Sequence, residues 1–362
     1  MATQTLDPAR LSRATMARQL LLERAALSPA EAISALCAVQ AHEPRPPYLA
    51  LWNRLAGFGE ADLRAATGDG SVLRVTLMRA TLHLVTAADY PAIRGPLQPA
   101  LCEVFTGLRE RAAGIELEQI LPAAREAYAS GPLTFDALRA RLAAQFPGLD
   151  ERVTGYAVRT NLPLAMVPSA DRWGYPRVAE FGLTSPFGTD TDPGSLVLRY
   201  LAAFGPASAA DAQSFLGLRR LGPVLDKLAP GLVTFADQRG RTLYDLPDAP
   251  RPAADVSAPV RFLPDFDNLV LGYADRSRFL AEEFKGQVTT RNLRVRATFL
   301  HDGVIRGTWS TKKTARAATL TITPFEPLAQ KTIAELEPEA GALLRFAEPG
   351  LASYHVTVAS PG

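Results

Sequence analysis

One signal for the start of a helix occurs three times in the first 250 residues, and it constrains the fold most. In Ser28-Pro29-Ala30-Glu31, a serine and a glutamate can cap free backbone N–H groups around a proline at the first helical position. Gly131-Pro132-Leu133-Thr134 and Gly205-Pro206-Ala207-Ser208 place a hydroxyl residue after a Gly-Pro break in the same way. We therefore predict that a helix begins at each place and that the chain contains related modules.

Each predicted helix pair is followed by a segment typical of a β-hairpin. These segments are residues 73–85, residues 164–175 with a turn at 169–171, and residues 232–244 with a turn at 238–240. Helices followed by a small hairpin are typical of a winged helix. The periodicity alone is equally compatible with another α+β protein in which the Gly-Pro breaks recur by chance.

The composition changes after a linker rich in proline and aspartate, residues 246–252. Apolar and polar residues alternate over 293–299, and turn residues at 301–303 lead into a second strand over 304–309. A strand over 319–323 and a helix over 332–347 follow. We predict an α+β fold with winged helices at 8–90, 91–190 and 193–246, followed by a β-rich C-terminal domain at 259–360.

Composition excludes several classes of protein. The net charge of +2 is too small to establish a nucleic-acid partner, and two cysteines exclude a disulfide framework or a cysteine-based zinc site. The N-terminus lacks the apolar core of a signal peptide, and no run approaches the roughly 20 apolar residues of a membrane span. There is no P-loop, dinucleotide-binding turn or metal-binding spacing. We expect a cytoplasmic protein without cofactor or metal.

Positive charge is concentrated near the C-terminal hairpin. Between residues 285 and 316, eight basic residues are opposed only by Asp302. A hairpin with arginines on one face can follow the phosphate backbone of DNA, although the same pattern also fits a solvated strand face. The residues predicted to contact DNA here are Arg294, Arg296, Arg306, Lys312 and Lys313.

Three segments resemble the AlkZ-like and YcaQ-like family of bacterial winged-helix DNA glycosylases. They are residues 39–48, with the sequence VQAHEPRPPY, residues 77–85, with LMRATLHLV, and residues 263–278, with LPDFDNLVLGYADRSR. The second resembles the family's Met-Arg-Gly-Thr-Leu-His-Leu-Val strand pair, and the third its C-terminal signature. The resemblance implies three tandem winged helices around a concave channel.

The resemblance also implies an enzyme that hydrolyses the N-glycosidic bond of N7-alkylguanines in duplex DNA. We expect this enzyme to be a monomer. Some relatives protect antibiotic producers from their own DNA-alkylating products or unhook interstrand crosslinks. The family's catalytic motif is glutamine, any residue, then glutamine or aspartate. Gln40 matches the first position, whose role is to position water or substrate. His42 occupies the third position, and that role transfers to it by position only.

The chemistry tolerates this departure, because an N7-alkylated purine is cationic and already a good leaving group. A neutral imidazole can accept a proton from water, and Glu43 is one candidate helper that could supply negative charge. The alternative is a histidine at a helix end that bonds to backbone. On a regular helix Gln40 and His42 would point apart, so a shared site requires the helix to end or distort, as Pro44 indicates.

Other residues of the three segments have two interpretations each. Arg79, Thr81 and His83 alternate and so share one strand face, which could meet the lesion or phosphate or could simply face solvent. We also assign Arg45 to DNA contact. Separately, four residues of the third segment are expected to form a structural ion network, with a supporting role beside the site possible: Asp265, Asp267, Arg276 and Arg278.

Two other functions remain open from the sequence. Winged helices are common in regulators, so the chain could be a DNA-binding protein without activity. It could also be a weak paralogue that binds lesions without turnover. A glycosylase leaves an abasic site and tolerates many sequences, whereas a regulator prefers one sequence and releases no base.

Overall fold

The computed structural model describes residues 4–106, 116–148, 150–176 and 178–361. Its helices are α1 (Pro8–Arg18), α2 (Pro29–Ala35), α3 (Pro46–Arg54), α4 (Glu60–Gly68), α5 (Tyr90–Thr106), α6 (Leu117–Ala129), α7 (Phe135–Gln145), α8 (Glu151–Asn161), α9 (Gly194–Phe204), α10 (Ala209–Leu216), α11 (Gly222–Leu228), α12 (Asn268–Leu271), α13 (Lys285–Val288) and α14 (Gln330–Ala347). Its strands are β1 (Thr5–Leu6), β2 (Val39–Gln40), β3 (Val72–Thr76), β4 (Leu82–Thr86), β5 (Leu133–Thr134), β6 (Leu164–Met166), β7 (Glu180–Leu183), β8 (Val233–Asp237), β9 (Thr242–Asp245), β10 (Arg261–Leu263), β11 (Thr298–His301), β12 (Val304–Lys313), β13 (Ala317–Pro324) and β14 (Ser353–Val358). The fold is α+β, as predicted.

The three predicted helix starts are confirmed. Ser28 caps α2 in a reciprocal capping box with Glu31, and Ser208 caps α10 in the same way with Asp211. Thr134 caps α7 by accepting a hydrogen bond from the backbone N–H of Ala137 at 3.1 Å. Each cap satisfies a backbone donor that the first turn of a helix leaves without an intrahelical partner.

Strands from the first two predicted modules form one six-stranded sheet with the order β2-β4-β3-β6-β7-β5. The β3–β4 hairpin over 73–85 is confirmed. The predicted hairpin over 164–175 is wrong, because β6 pairs with β7 instead. The aromatic residues of the intervening segment leave the sheet, and Trp173 packs against Tyr48 with ring centroids 5.1 Å apart.

The third predicted hairpin, over residues 232–244, is confirmed, and one further strand pairs with it. β8 and β9 pair antiparallel, and β1 from the N-terminus pairs parallel with β8. A buried ion pair links the same parts of the chain, with Arg18 of α1 donating to Asp245 of β9 at 2.6 and 2.8 Å. Strand β1 and helix α1 therefore pack with the β8–β9 hairpin, which lies more than 200 residues later in the sequence.

The last sheet has the order β10-β11-β12-β13-β14 and packs against α14. The β11–β12 hairpin, the strand over 319–323 and the closing helix are confirmed. The first strand, however, begins at Thr298 instead of Leu293, so Arg294 and Arg296 precede the hairpin and do not lie on its face. β14 was not predicted from the sequence.

One apolar core joins the β3–β4 hairpin to α9, α10 and the segment after β10. Its members include Met78 from the hairpin, Phe215 from α10 and Leu269 from α12, all fully buried. The core therefore packs two segments that resemble the glycosylase family, residues 77–85 and 263–278, against each other although they are far apart in sequence.

Candidate functional site

Gln40 lies on strand β2, where it pairs with His83 of β4. The expectation of a helix that reaches the motif and ends or distorts before Pro44 is corrected, since α2 ends at Ala35 and Cys37 then takes a left-handed backbone conformation with φ of 69°. The helical geometry that would point Gln40 and His42 apart is therefore absent. The strand ends at Gln40, and His42 follows in a bend.

The side chain of Gln40 is buried and held by two residues of the second segment. Its Oε1 accepts a hydrogen bond from Arg79 at 3.0 Å, and its Nε2 donates to the hydroxyl of Thr81 at 3.2 Å. Arg79 also donates to the backbone carbonyl of Phe215. Burial lowers the pKa of Arg79 to about 10, which leaves it cationic at neutral pH. Arg79 and Thr81 therefore orient Gln40, and both side chains already form hydrogen bonds within the protein.

His83 does not have the accessible position that a DNA contact requires. It is 0% exposed, and its Nδ1 lies 3.0 Å from the carbonyl oxygen of Thr81. Burial lowers its pKa to about 3, with the charge of Arg79 adding to the effect. The predicted direct contact of His83 with DNA is corrected: it is a neutral core residue behind the motif.

His42 is exposed, and its ring meets the edge of Phe266 with centroids 6.4 Å apart. Its backbone is held by Arg74, a residue that the sequence analysis missed. Arg74 donates to the carbonyls of Ala41 and His42 at 2.9 and 3.0 Å. The signal for this residue in the sequence is a single arginine in the middle of the mostly apolar strand β3.

The third segment holds the motif from the other side. Asn268 accepts a hydrogen bond from the backbone N–H of Gln40 at 3.2 Å and donates to the carbonyl of Ala38. Next to it, Asp267 receives two hydrogen bonds of 2.8 Å from Arg54 of α3, and both side chains are almost completely buried. A two-pronged pair of this kind is a strong charge-assisted contact.

The predicted ion network within the third segment is wrong. Asp267 pairs with Arg54, and Asp265 lies 3.7 Å from Arg294. Arg276 donates to Thr289, whereas Arg278 donates to Thr15 and to the carbonyl of Pro206. The reason is tertiary packing: α12 begins right after Asp267 and directs its carboxylate toward α3.

A cleft of about 910 Å³ opens beside this centre. It is lined by Arg45 and Glu43 from the first segment, by Asp265, and by Arg294 and Arg296. A smaller cavity of about 10 Å³ is lined by Gln40 and Asn268, and it shares Pro46, Pro264 and Asp265 with the cleft. Gln40 thus lies one layer of residues behind a basic cleft.

The basic residues predicted to contact DNA differ in how fully they are paired. Arg45 and Lys313 lie 3.2 and 2.9 Å from the carboxylate of Glu348, which also lies 3.7 Å from Arg172. Arg306 is 4.0 Å from Glu326. Arg296 and Lys312 are exposed, and within the described ranges neither forms an ion pair. These two side chains are the most available for an anionic partner.

Two further observations concern the described residues only. No group of three or more histidine, cysteine, aspartate or glutamate side chains there could hold a metal ion. Among the same residues, no helix has the length and apolar character needed to cross a membrane.

Comparisons with known proteins identify the family of the chain. A family model described as DNA glycosylase AlkZ-like matches residues 33–346. A relative from Streptomyces sahachiroi, named interstrand DNA cross-link repair glycosylase, is 26% identical over 361 residues, covering 91% of this chain and 94% of its own. The structure of Streptomyces sahachiroi DNA glycosylase AlkZ matches with a TM-score of 0.82 at 20% identity, over 98% of this chain and 100% of that chain. Since the family model spans most of the chain, including all three segments around Gln40, this protein belongs to the AlkZ-like family of DNA glycosylases.

Proposed function

We propose that this protein is a monofunctional DNA glycosylase that removes N7-alkylated guanines from duplex DNA. The observation that carries the proposal is the fixed position of Gln40 behind a basic cleft. Arg79, Thr81 and Asn268 hold its side chain and backbone, so little ordering is required when the substrate binds.

The reaction is a hydrolysis at the sugar. The C1′–N9 bond breaks and its electron pair goes to the cationic N7-alkylpurine, which leaves as a neutral base. The oxygen of water forms a bond to C1′, and the water loses a proton. Because the leaving group is already positively charged, strong acid catalysis is not needed. Holding the water and stabilising the cationic sugar are what accelerate the reaction.

The residues divide these tasks. Gln40 orients the water or the sugar, and the imidazole of His42, at the edge of Phe266, accepts a hydrogen bond from the water. The DNA backbone follows the cleft past Arg294 and Arg296 and along β12 past Arg306, Lys312 and Lys313, with Arg45 at the near edge. No cofactor takes part.

The substrate in vivo is a bulky guanine adduct, in repair or in self-resistance to a genotoxin. The named activity of the relative from Streptomyces sahachiroi supports a substrate of this size. The open form of the 910 Å³ cleft also supports it, because a bulky adduct does not have to enter a closed base pocket. The enzyme acts as a cytoplasmic monomer, and its modules are winged helices at 8–90, 91–190 and 193–246 with a β-rich domain at 259–360.

Base release from duplex oligonucleotides tests the proposal. One duplex carries N7-methylguanine and a second carries a bulky N7-guanine adduct, and free base is measured by mass spectrometry. We expect release by the wild type, loss of at least about 100-fold for Gln40→Ala, and strand breakage only after alkali. His42→Gln, which restores the family's third residue, should retain activity, and His42→Ala should lose it.

Two outcomes contradict the proposal. Binding of both duplexes without release of either base would favour a lesion-binding or regulatory protein over an enzyme. Strand breakage without alkali would exclude a monofunctional mechanism. Asp255→Asn, at an exposed position in the segment before β10, serves as the matched control and should behave as wild type.

A further inference from the structure

The motif of this chain lacks a negative charge at the place where the reaction generates a positive one. Aspartate, one of the two residues that fill the third position in the family, would supply that charge, whereas the imidazole of His42 carries no negative charge. We propose that the carboxylate of Asp265 faces the reacting sugar and its attacking water, and that it supplies this charge. The inference rests on the proposed hydrolysis of the glycosidic bond.

Asp265 lies at the junction between Gln40 and the cleft. It lines the 10 Å³ cavity with Gln40, and it also lines the 910 Å³ cleft with Arg294. The next residue, Phe266, has a left-handed backbone with φ of 59° and places its ring against His42. One short segment therefore brings Asp265 and the packing partner of His42 to the motif together.

The surroundings of Asp265 suit a charge that acts on a substrate. Its side chain is 33% exposed, the backbone N–H of Ala297 donates to it, and Arg294 lies 3.7 Å away. Burial raises the pKa of Asp265 although Arg294 and Arg45 oppose the rise. A partly desolvated carboxylate interacts more strongly with a nearby cation than one in bulk water does.

The neighbouring acidic residues are less suited than Asp265 to stabilise a cationic sugar in the cleft. Asp267 is 0% exposed and both of its oxygens are occupied by Arg54. Glu43 is exposed at the edge of the cleft, where water screens its charge. Glu348 is not among the residues lining the cleft and has three cationic neighbours.

As the C1′–N9 bond breaks toward the purine, the Asp265 carboxylate stabilises the cationic sugar. The oxygen of water bonds to C1′, and the proton that the water loses passes to the Asp265 carboxylate and from there to solvent. Gln40 fixes the orientation of the water throughout.

The test is single-turnover release of N7-methylguanine by Asp265→Asn, Asp265→Glu and the wild type from pH 8 down to pH 4, near the ordinary pKa of an aspartate. Asparagine preserves shape and can still accept from Ala297, and Asp255→Asn is the matched control. We expect a loss of at least about 100-fold for Asp265→Asn, with DNA binding unchanged or tighter, since a negative charge beside phosphate is removed. His42→Asp in the Asp265→Asn background should recover at least tenfold, because it returns a carboxylate to the motif.

The pH profile separates a catalytic from a structural role. In the His42→Gln background, which removes the imidazole from the motif, the rate should fall as the pH drops through the raised pKa of Asp265. This acidic limb should be absent when Asp265→Asn is added and displaced when Asp265→Glu is added. The charged groups around Asp265 are present in all three proteins, so they do not explain a difference: Glu43, Arg45, Arg54, Asp267, Arg294 and Arg296.

A wild type that releases base while Asp265→Asn stays within threefold of it would overturn this inference and leave the proposed function standing. A wild type that releases no base would overturn both. If Asp265→Asn fails to fold, the pH–rate profile of Asp265→Glu tests the proposal instead. An acidic limb at the same pH in Asp265→Glu as in the protein that retains Asp265 would contradict a catalytic role for Asp265.

Discussion

At the scale of single residues, burial decides the role of His83. Its sequence context is compatible with a DNA contact, yet the ring lies in the core and is neutral. An unfolded chain binds a proton at this histidine near pH 6.5, whereas the folded chain resists protonation down to about pH 3. The protein is therefore stabilised above pH 6.5, and this stability is lost as the pH falls from 6.5 toward 3.

We expect His83→Asn to weaken this acid sensitivity. Its amide can donate to the carbonyl of Thr81 as the imidazole does, but it cannot take up a proton. Between pH 6.5 and 4, the free energy of unfolding should fall less steeply with decreasing pH in the variant than in wild type. The two slopes should differ by about 1.4 kcal/mol per pH unit, the effect of one proton. Urea denaturation at several pH values measures this difference.

The exposed His355 provides the control, since His355→Asn should leave the slope as in wild type. DNA affinity at pH 7 should not change in His83→Asn. A loss of affinity without a loss of stability would restore the DNA contact that the structure argues against.

At the scale of elements, the tip of the β3–β4 hairpin depends on the end of α10. Gly217 caps that helix with φ of 70°, and a β-carbon at this position would lie 2.9 Å from the backbone nitrogen of Arg79. Arg79 itself has a left-handed backbone with φ of 55°. The glycine therefore lets the helix approach the residue that holds Gln40.

We expect Gly217→Ala to reduce base release more than its loss of stability explains. The left-handed conformation costs an alanine about 1–2 kcal/mol, and the added methyl group displaces Arg79. Gly240→Ala is the matched control, because Gly240 has φ of 75° and nothing within 4 Å of a β-carbon. Gly240→Ala should lose only the stability that the backbone conformation costs and keep its activity, whereas Gly217→Ala should lose more stability and also lose activity. Equal activity in the two variants would contradict this role of α10.

The elements also show which features are predictable from sequence. The caps at Ser28, Thr134 and Ser208 depend on residues within three positions, so local sequence predicts them. The partner of β6 is separated from it by 13 residues, 167–179, and depends on where aromatic side chains are buried, so the local turn signal at 169–171 misleads.

The same distinction holds for the candidate site. The three segments are recognisable, but the pairing of Asp267 with Arg54 crosses 213 positions and follows from packing that no local pattern records. Likewise, Arg74 was missed because its partners are backbone carbonyls on another strand, which any sequence would provide.

At the scale of the whole molecule, the pair of Arg54 and Asp267 joins α3 to the C-terminal signature. Removing one partner leaves a buried charge without compensation, so Arg54→Met and Asp267→Asn should each cost about 3–5 kcal/mol. The double variant should cost at least about 2 kcal/mol less than the sum. The exposed pair of Lys227 and Asp192, 3.4 Å apart, is the control, with an expected coupling below about 1 kcal/mol. Equal coupling in both cycles would mean that the buried pair does not hold the site together.

The cleft as a whole sets how DNA binding depends on salt. Each phosphate neutralised on duplex DNA changes the slope of log affinity against log salt concentration by about 0.9. Arg296 is exposed and forms no ion pair within the described residues, so Arg296→Ala should reduce the slope by about that amount. Lys313 already lies 2.9 Å from Glu348, and Lys313→Ala should change it much less.

Fluorescence anisotropy at 50 to 300 mM salt measures both slopes, with the exposed Lys331→Ala on α14 as the variant outside the cleft lining. Equal reductions for Arg296→Ala and Lys313→Ala would mean that phosphate displaces Glu348 when DNA binds. In that case Glu348, beside Arg45, Arg172 and Lys313, would occupy the position of a phosphate in the free protein. Glu348→Gln should then tighten DNA binding, whereas it should have little effect if these cations stay paired.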